Sequence, residues 1–296
     1  MKNIAATTVL RNAAIVAACA WTLSACTTTA TSTQAPAAAA PQGSIKGTAK
    51  AHTPESLQQV VQQAWVSLPA SVTGGAPYHG PYSQAPAAKA KAPVVVFVHG
   101  SSGVAPAIKE WQKWAAESLG IASMAPDSMQ LKDRMTYKSP IAKADYEIVH
   151  KLRSDELTAT MAALPQLPFA DSSRVVIAGT SEGAVAVARY TPAPGIAREK
   201  GRLILSWTCE DNYHVQQHRT HLPNDLPVLN IVSSTDVYFS KANSWLGNPA
   251  PVGHCGEVLK DNKLSSVVLL PGAPHTLFNL PQARQPIEGF LRAQLK

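Results

Sequence analysis

One serine in this chain stands where a nucleophile would stand. Residues 179–183 read GTSEG, so Ser181 lies between two glycines directly after the apolar run 174–180. In a G-x-S-x-G turn between a strand and a helix, the serine adopts a strained conformation and the glycines let the two backbones approach closely. The pentapeptide also occurs by chance, so its meaning depends on the residues that accompany it.

Two further residues could turn this serine into a nucleophile. A serine hydroxyl reacts poorly at neutral pH unless an imidazole accepts its proton, and the imidazole needs a carboxylate to fix its tautomer. Asp236 comes after the apolar run 227–232, and His275 comes after the run 266–270. The order Ser181, Asp236, His275 therefore predicts a catalytic triad whose members each follow a strand.

A glycine-rich turn could stabilise the negative charge that such a reaction develops. Residues 99–103 read HGSSG and follow another apolar run. The backbone N–H of Ser101, together with that of Glu182, would form a two-donor oxyanion hole above Ser181. We interpret His99 as structural rather than as a base, because it stands before the turn.

Three other residues compete for roles in this site. Asp225 precedes its strand and would lie at the opposite edge of the sheet, whereas His254 does not directly follow a strand. The carboxylate of Glu182 has two interpretations. It is either a helix N-terminal charge favoured by the helix dipole, or a second acid that faces the pocket and disfavours anionic substrates.

We expect no metal, no organic cofactor and no nucleic-acid partner. His214 and His218 could share a helix face, which would suit zinc, but the chain lacks an HExxH pattern and Pro223 would soon end any helix. A polar surface segment is the interpretation we adopt there. The net charge of +7 is spread without a long Lys/Arg block or interleaved aromatic residues.

An alternation of strands and helices must position these residues. The apolar runs lie at 93–98, 121–125, 174–180, 202–206, 227–232 and 266–270. The helical patterns lie at 53–68, 105–118, 142–164, 182–190 and 281–294. Continuous apolar runs indicate strands that are covered on both faces. Residues 53–296 are therefore predicted to form one α/β domain with a doubly wound, mostly parallel sheet, whose strand ends collect the reactive side chains.

The N-terminus predicts export and lipidation. Lys2 and Arg11 precede the apolar stretch 12–23, which is too short to span a bilayer comfortably and is typical of a signal-peptide core. Residues 23–26 read LSAC and resemble a bacterial lipobox, in which Cys26 would be lipidated after removal of residues 1–25. An ordinary signal peptide cleaved at the same place is the alternative.

The segment after the lipobox has the composition of a tether. Residues 26–52 are rich in Thr, Ala and Pro and show no periodic apolar pattern, which is typical of a flexible linker. Thr27 follows the lipidated cysteine, and by resemblance to other lipoproteins this favours the outer membrane. We therefore expect a periplasm-facing lipoprotein of a bacterial envelope, held to the membrane by its lipid.

The cysteine count is consistent with an oxidising compartment. Of the four cysteines, Cys19 would leave with the signal peptide and Cys26 would carry the lipid. Cys209 and Cys255 remain as an even pair, which predicts a disulfide that holds the loop of Asp236 against a neighbouring strand end. Two buried free thiols are the alternative.

Together these motifs resemble the α/β-hydrolase superfamily, and most strongly its dienelactone hydrolase-like branch. The matching segments read VVVFVHGSSG, VVIAGTSEGAV, PVLNIVSSTDVYF and LLPGAPHTLFNL. The resemblance implies the same roles for Ser181, Asp236 and His275, with oxyanion donors in the turn near Ser101 and at Glu182. Dienelactone hydrolases proper carry cysteine at the nucleophile position, so the serine here argues against their substrate.

The sequence thus predicts a serine hydrolase that cleaves a small-molecule carboxylic ester or lactone through an acyl-enzyme. No long insert typical of a lipase lid is visible between the strands. Two other functions stay open at this point. One is a peptidase or another acyl-transfer enzyme on the same triad, and the other is a non-catalytic lipoprotein that binds an envelope ligand.

Overall fold

A computed structural model describes residues 42–296. The predicted signal peptide, the predicted lipobox with Cys26 and the first part of the predicted tether lie outside the described residues. No helix within the described range is long and apolar enough to cross a membrane.

The described chain alternates between strands and helices. The strands are β1 (Ser44–Lys46), β2 (Trp65–Leu68), β3 (Tyr78–Pro81), β4 (Ala92–Val98), β5 (Ala122–Ala125), β6 (Thr136–Lys138), β7 (Ala170–Thr180), β8 (Gly201–Leu205), β9 (Val228–Ser233) and β10 (Ser265–Leu270). The α-helices are α1 (Pro54–Gln62), α2 (Ala70–Thr73), α3 (Pro106–Leu119), α4 (Lys143–Ala163), α5 (Glu182–Arg189), α6 (Gly256–Leu259) and α7 (Pro281–Gln294).

Eight of these strands form one twisted sheet in the order β3-β2-β5-β4-β7-β8-β9-β10. The six strands β5, β4, β7, β8, β9 and β10 are parallel to one another. β2 runs antiparallel to both β3 and β5. Crossover connections between parallel strands place helices on both faces of the sheet. This is the strand arrangement of the α/β-hydrolase fold, and the predicted doubly wound sheet is confirmed.

The apolar runs divide between two cores, one on each face of the sheet. In β4, the side chains of Val94 and Val96 pack with α4 and α5, whereas Val95 and Phe97 pack on the other face with α3 and α7. All four are fully buried. Burying each such side chain contributes about 1.5–3 kcal/mol, so an unbroken apolar run is what a central strand requires.

The first predicted helix is too long. A helix was expected over 53–68, but α1 ends at Gln62 and the chain continues as strand β2. Thr53 caps the helix, since its hydroxyl accepts the N–H of Ser56, and Pro54 occupies the first turn. Residues 65–68 form β2 instead of continuing the helix, because β2 pairs with both β3 and β5.

The end of the predicted tether belongs to the folded domain. β1 forms a separate two-stranded antiparallel sheet with β6, and its residues 44–46 lie opposite 136–138. His52 lies 2.9 Å from the carboxylate of Glu156 in the domain core. Residues 44–52 are therefore ordered against the domain, which corrects the prediction of a flexible tether for this part of the chain.

Cys209 and Cys255 are joined by a disulfide, with Cα atoms 4.8 Å apart. The N–H of Cys255 donates to the side chain of Asn230 in β9, whose amide in turn donates to carbonyls at the end of β8. The bridge therefore closes the loop that carries Asp236 against the neighbouring strand end. The predicted pairing is confirmed.

Candidate active site

Ser181 forms the sharp turn between β7 and α5. Its backbone has φ 54° and ψ −121°, a conformation that is strained for any residue with a side chain. Two glycines allow it, because a β-carbon on Gly179 would collide with the carbonyl of Gly183, and one on Gly183 with that of Val98. The N–H of Ser181 donates to the carbonyl of Leu205 at 2.9 Å, which fixes the turn against β8.

Asp236 and His275 form a close pair at the same edge of the sheet. Nδ1 of His275 lies 2.7 Å from one carboxylate oxygen of Asp236, which is buried. The other oxygen accepts the N–H groups of Tyr238 and Phe239 at 2.8 and 3.0 Å. A carboxylate only accepts, so Nδ1 of the neutral imidazole carries the proton and Nε2 is left with a free lone pair.

Ser181 and His275 line one cavity of about 500 Å³. Within residues 42–296, no hydrogen bond joins the two side chains directly. Such contacts are often long in unliganded sites and shorten when substrate binds. The structure thus brings the three predicted residues to one edge of the sheet, with Asp236 behind His275 and the other two on the cavity.

The predicted oxyanion turn passes directly beside the serine. A β-carbon on Gly100 would lie only 3.4 Å from the β-carbon of Ser181, and Ser101 lines the same cavity. The N–H of Glu182 belongs to the first residue of α5, where the helix itself supplies no acceptor. Neither the Ser101 nor the Glu182 N–H has a hydrogen-bond partner within the described part of the chain, so both are available to a ligand.

His99 orients the peptide that carries the Ser101 N–H. Nε2 of His99 accepts the N–H of Ser128 at 3.0 Å, so Nδ1 carries the proton and donates to the carbonyl of Gly100 at 2.6 Å. The carbonyl of Gly100 and the N–H of Ser101 belong to one planar peptide and point in opposite directions. His99 is fully buried, which confirms its structural interpretation.

The side chain of Glu182 points away from the cavity into the domain. It is fully buried, and its two oxygens accept a hydrogen bond from Arg134 and one from the hydroxyl of Tyr137, each at 2.8 Å. A second guanidinium, that of Arg153, lies 3.6 Å away and also pairs with Glu156. Two arginines and two glutamates therefore balance in charge beneath the turn at Ser181, and a second acid facing the pocket is ruled out.

Tyr137 and His214 are site residues that sequence reasoning missed. Both line the cavity, and the hydroxyl of Tyr137 lies 3.2 Å from Nε2 of His214. Burial and then the charge of Glu182 raise the pKa of Tyr137 well above its usual range, and burial lowers that of His214 well below it. Both are therefore neutral at pH 7. No motif surrounds Tyr137, and His214 stood out in the sequence only as a possible zinc ligand with His218, so the sequence places neither residue on the cavity.

The rest of the cavity wall comes from loops and is largely aromatic. Two segments, 206–227 and 234–255, each leave the sheet for about twenty residues, although no long insert was visible in the sequence. The aromatic side chains on the cavity, apart from the histidines, are Tyr137, Tyr213, Tyr238, Phe239 and Phe278.

The competing residues lie elsewhere. Asp225 is exposed and pairs with Arg198 at 2.7 Å, and His254 accepts the N–H of Gly256. No helix connects β8 to β9, so His214 and His218 share no helix face; the former is buried, contrary to the polar surface segment that we predicted. Among residues 42–296, no three His, Cys, Asp or Glu side chains are grouped to hold a metal.

No family model and no curated protein matches this chain. Among solved structures, a putative dienelactone hydrolase from Klebsiella pneumoniae is similar at 17% identity, 78% coverage of this chain, 97% of that chain and a TM-score of 0.49. Est1E from Butyrivibrio proteoclasticus is similar at 15% identity, 78% coverage of this chain, 93% of that chain and a TM-score of 0.46.

A third similar structure is a dienelactone hydrolase-like promiscuous phosphotriesterase from metagenomic libraries. It is 17% identical, covers 74% of this chain and 92% of its own, and has a TM-score of 0.47. At these identities the likeness concerns the fold, which the strand order establishes independently.

We predict that Glu182→Gln destabilises the protein by about 3–5 kcal/mol, because it leaves buried guanidinium charge uncompensated. The matched control is Asp225→Asn, which removes an exposed carboxylate from an arginine pair and should leave the urea midpoint nearly unchanged. Urea unfolding of the two variants checks this. Equal midpoints for both would mean that the buried carboxylate does not hold the site together.

Stability should also fall as the pH drops below about 6.5, the ordinary histidine pKa. Burial and then the nearby Arg153 hold the pKa of His99 well below that value. The unfolded chain therefore binds the proton first as the pH falls. The contribution of the neutral His99 to stability is complete above about pH 6.5, and below that pH it is lost by up to ~1.4 kcal/mol per pH unit. Unfolding of wild type and His99→Gln between pH 7.5 and 5 checks the sign. The variant should show a shallower slope, and an unchanged slope would contradict the account.

Proposed function

We propose that this protein is a serine hydrolase that cleaves a small-molecule carboxylic ester or lactone. The observation that carries the proposal is the 2.7 Å hydrogen bond between His275 and the buried carboxylate of Asp236, on the same sheet edge as a serine held at φ 54°. A buried carboxylate that fixes an imidazole on the same cavity as a strained serine is the arrangement that generates a serine nucleophile.

The mechanism follows from the positions of these groups. Nε2 of His275 accepts the Ser181 proton as the serine oxygen attacks the substrate carbonyl, and Asp236 stabilises the imidazolium that forms. The N–H groups of Ser101 and Glu182 donate to the resulting oxyanion. The imidazolium then gives its proton to the leaving alkoxide, which leaves an acyl-enzyme. Water, deprotonated by His275, attacks this ester, and the imidazolium returns the proton to the Ser181 oxygen as the acid is released.

The buried position of Glu182 supports a substrate that is neutral or anionic. Its charge is paired with Arg134 and does not reach the cavity. The cavity wall carries one cation, that of Lys138, and no carboxylate among its lining residues. A cavity of about 500 Å³ has room for a small ester.

Hydrolysis of p-nitrophenyl esters of graded acyl length tests the proposal. Ser181→Ala should reduce hydrolysis to the level of buffer, and Asp236→Asn should lower kcat by about 10⁴ because the imidazole takes the wrong tautomer. Asp225→Asn, which changes a carboxylate far from the site, should retain full activity. Hydrolysis that survives in Ser181→Ala would contradict the proposal, and hydrolysis of peptides but no ester would favour a peptidase.

We further propose that the protein is anchored in a bacterial envelope through a lipid on Cys26. The motif LSAC after a basic and apolar leader supports this, as does the disulfide between Cys209 and Cys255, which is typical of an oxidising compartment. The anchor would hold the domain on the periplasmic side, and Thr27 favours the outer membrane.

Cys26→Ser tests the anchor. The wild-type protein expressed in a bacterial host should partition into the detergent phase, and the variant should partition into the aqueous phase because it carries no acyl chains. Cys209→Ser is the control, since it removes a cysteine outside the lipobox and should leave partitioning unchanged. Detergent-phase partitioning of Cys26→Ser would contradict lipidation at this residue.

A further inference from the structure

The strand β6 stands apart from the main sheet. Within residues 42–296, its only strand partner is β1, which comes from the extreme N-terminal part of the described chain. β6 carries Tyr137 and Lys138, and Ser139 follows them; all three line the cavity that holds Ser181. One wall of the cavity therefore lies on a strand that, within the described residues, pairs with β1 alone.

The N-terminal residues hold this wall at both ends. We call residues 43–49 the strap and residues 133–140 the wall segment. At one end, the N–H of Gly43 donates to the carbonyl of Pro140 at 2.8 Å. At the other, the N–H and the hydroxyl of Thr48 both donate to the carboxylate of Asp133. The strap therefore binds the wall segment at both ends as well as through the strand pairing between β1 and β6.

Two glycines let the strap lie unusually close to the wall segment. A β-carbon on Gly43 would collide with the carbonyl of Lys138, and one on Gly47 with the carbonyl of Arg134. Gly47 also has φ +81°, which L side chains rarely adopt. The position of the wall segment is thus set by backbone contact with the strap.

The wall segment acts on the site in two ways. Its side chains form the surface that a substrate would touch, and two of them, Arg134 and Tyr137, bind the carboxylate of Glu182 at the start of α5. Glu182 keeps a contact with Arg153 from another helix, 3.6 Å away. A displaced wall segment should therefore weaken substrate binding more than it disturbs Ser181.

We propose that the strap, residues 43–49, is a positioning element of the active site that sets the substrate-binding wall formed by Tyr137, Lys138 and Ser139. The inference rests on the proposed hydrolase function. It also gives a second role to the chain that leads from the predicted lipid anchor, because the last residues of that chain bind the segment that forms one wall of the cavity.

Two pairs of glycine variants test the strap, each with a matched control. Gly47→Ala is compared with Gly195→Ala, which has the same φ of +81° but nothing within 4 Å of the added carbon. Gly43→Ala is compared with Gly75→Ala. The carbon added at Gly75, like the one added at Gly195, meets nothing within 4 Å. Each pair separates loss of the strap contact from the cost of replacing a glycine.

The readout is the separation of KM from kcat for the best p-nitrophenyl ester. Both strap variants should raise KM by about fivefold or more over their controls, with kcat within about threefold, because binding is lost while the reacting groups stay in place. A KM less than about fivefold above the control in either variant that folds overturns the inference, even if the melting temperature falls. Should both variants fail to fold, Thr48→Val decides by the same criterion.

A wild type that hydrolyses no ester would refute the proposed function without testing the strap. Amide hydrogen exchange then decides on the strap. Gly47→Ala should speed exchange over residues 133–140 relative to Gly195→Ala, and equal exchange in the two variants would overturn the inference. The failure of the function and the failure of the strap are therefore distinguishable.

Discussion

The strained backbone of Ser181 is the constraint on which the rest of the structure depends. A conformation with φ 54° at a non-glycine residue costs on the order of 1–3 kcal/mol and persists only where its surroundings enforce it. Here Gly179 and Gly183 remove the β-carbons that would separate β7 from α5, and the small buried side chains of α5 pack against the sheet. The turn lifts the hydroxyl above the strand ends, where the other groups converge.

Beneath this turn, a buried polar network replaces the apolar packing found elsewhere in the domain. Glu182 and Glu156 balance Arg134 and Arg153, and no carboxylate is left without a partner. Buried ion pairs add little net stability compared with apolar residues of the same shape, but they are costly to break and strongly directional. The network joins α4, α5 and the wall segment, so it fixes the turn at Ser181 relative to the cavity.

Much of the fold could be predicted from the sequence, as could the position of Ser181, Asp236 and His275 at one edge of the sheet, because buried parallel strands are continuous apolar runs and these three residues follow such runs. The strands β2 and β3 near the edge of the sheet were not predicted, because short antiparallel strands do not form continuous apolar runs in the sequence. The role of Glu182 could not be decided locally, since its partner Arg134 lies 48 residues away in the chain. Tyr137 and His214 stand in segments whose positions depend on tertiary contacts with the strap and the disulfide-closed loops.

The central claim is that His275 and Asp236 make Ser181 a nucleophile. Reaction with a fluorophosphonate followed by peptide mass mapping tests it most directly, because the probe forms a covalent bond only with an activated hydroxyl. The account predicts one adduct, on Ser181, that is absent in Ser181→Ala and forms far more slowly in Asp236→Asn. Equally poor labelling of wild type and Ser181→Ala, or an adduct on another residue, would contradict it.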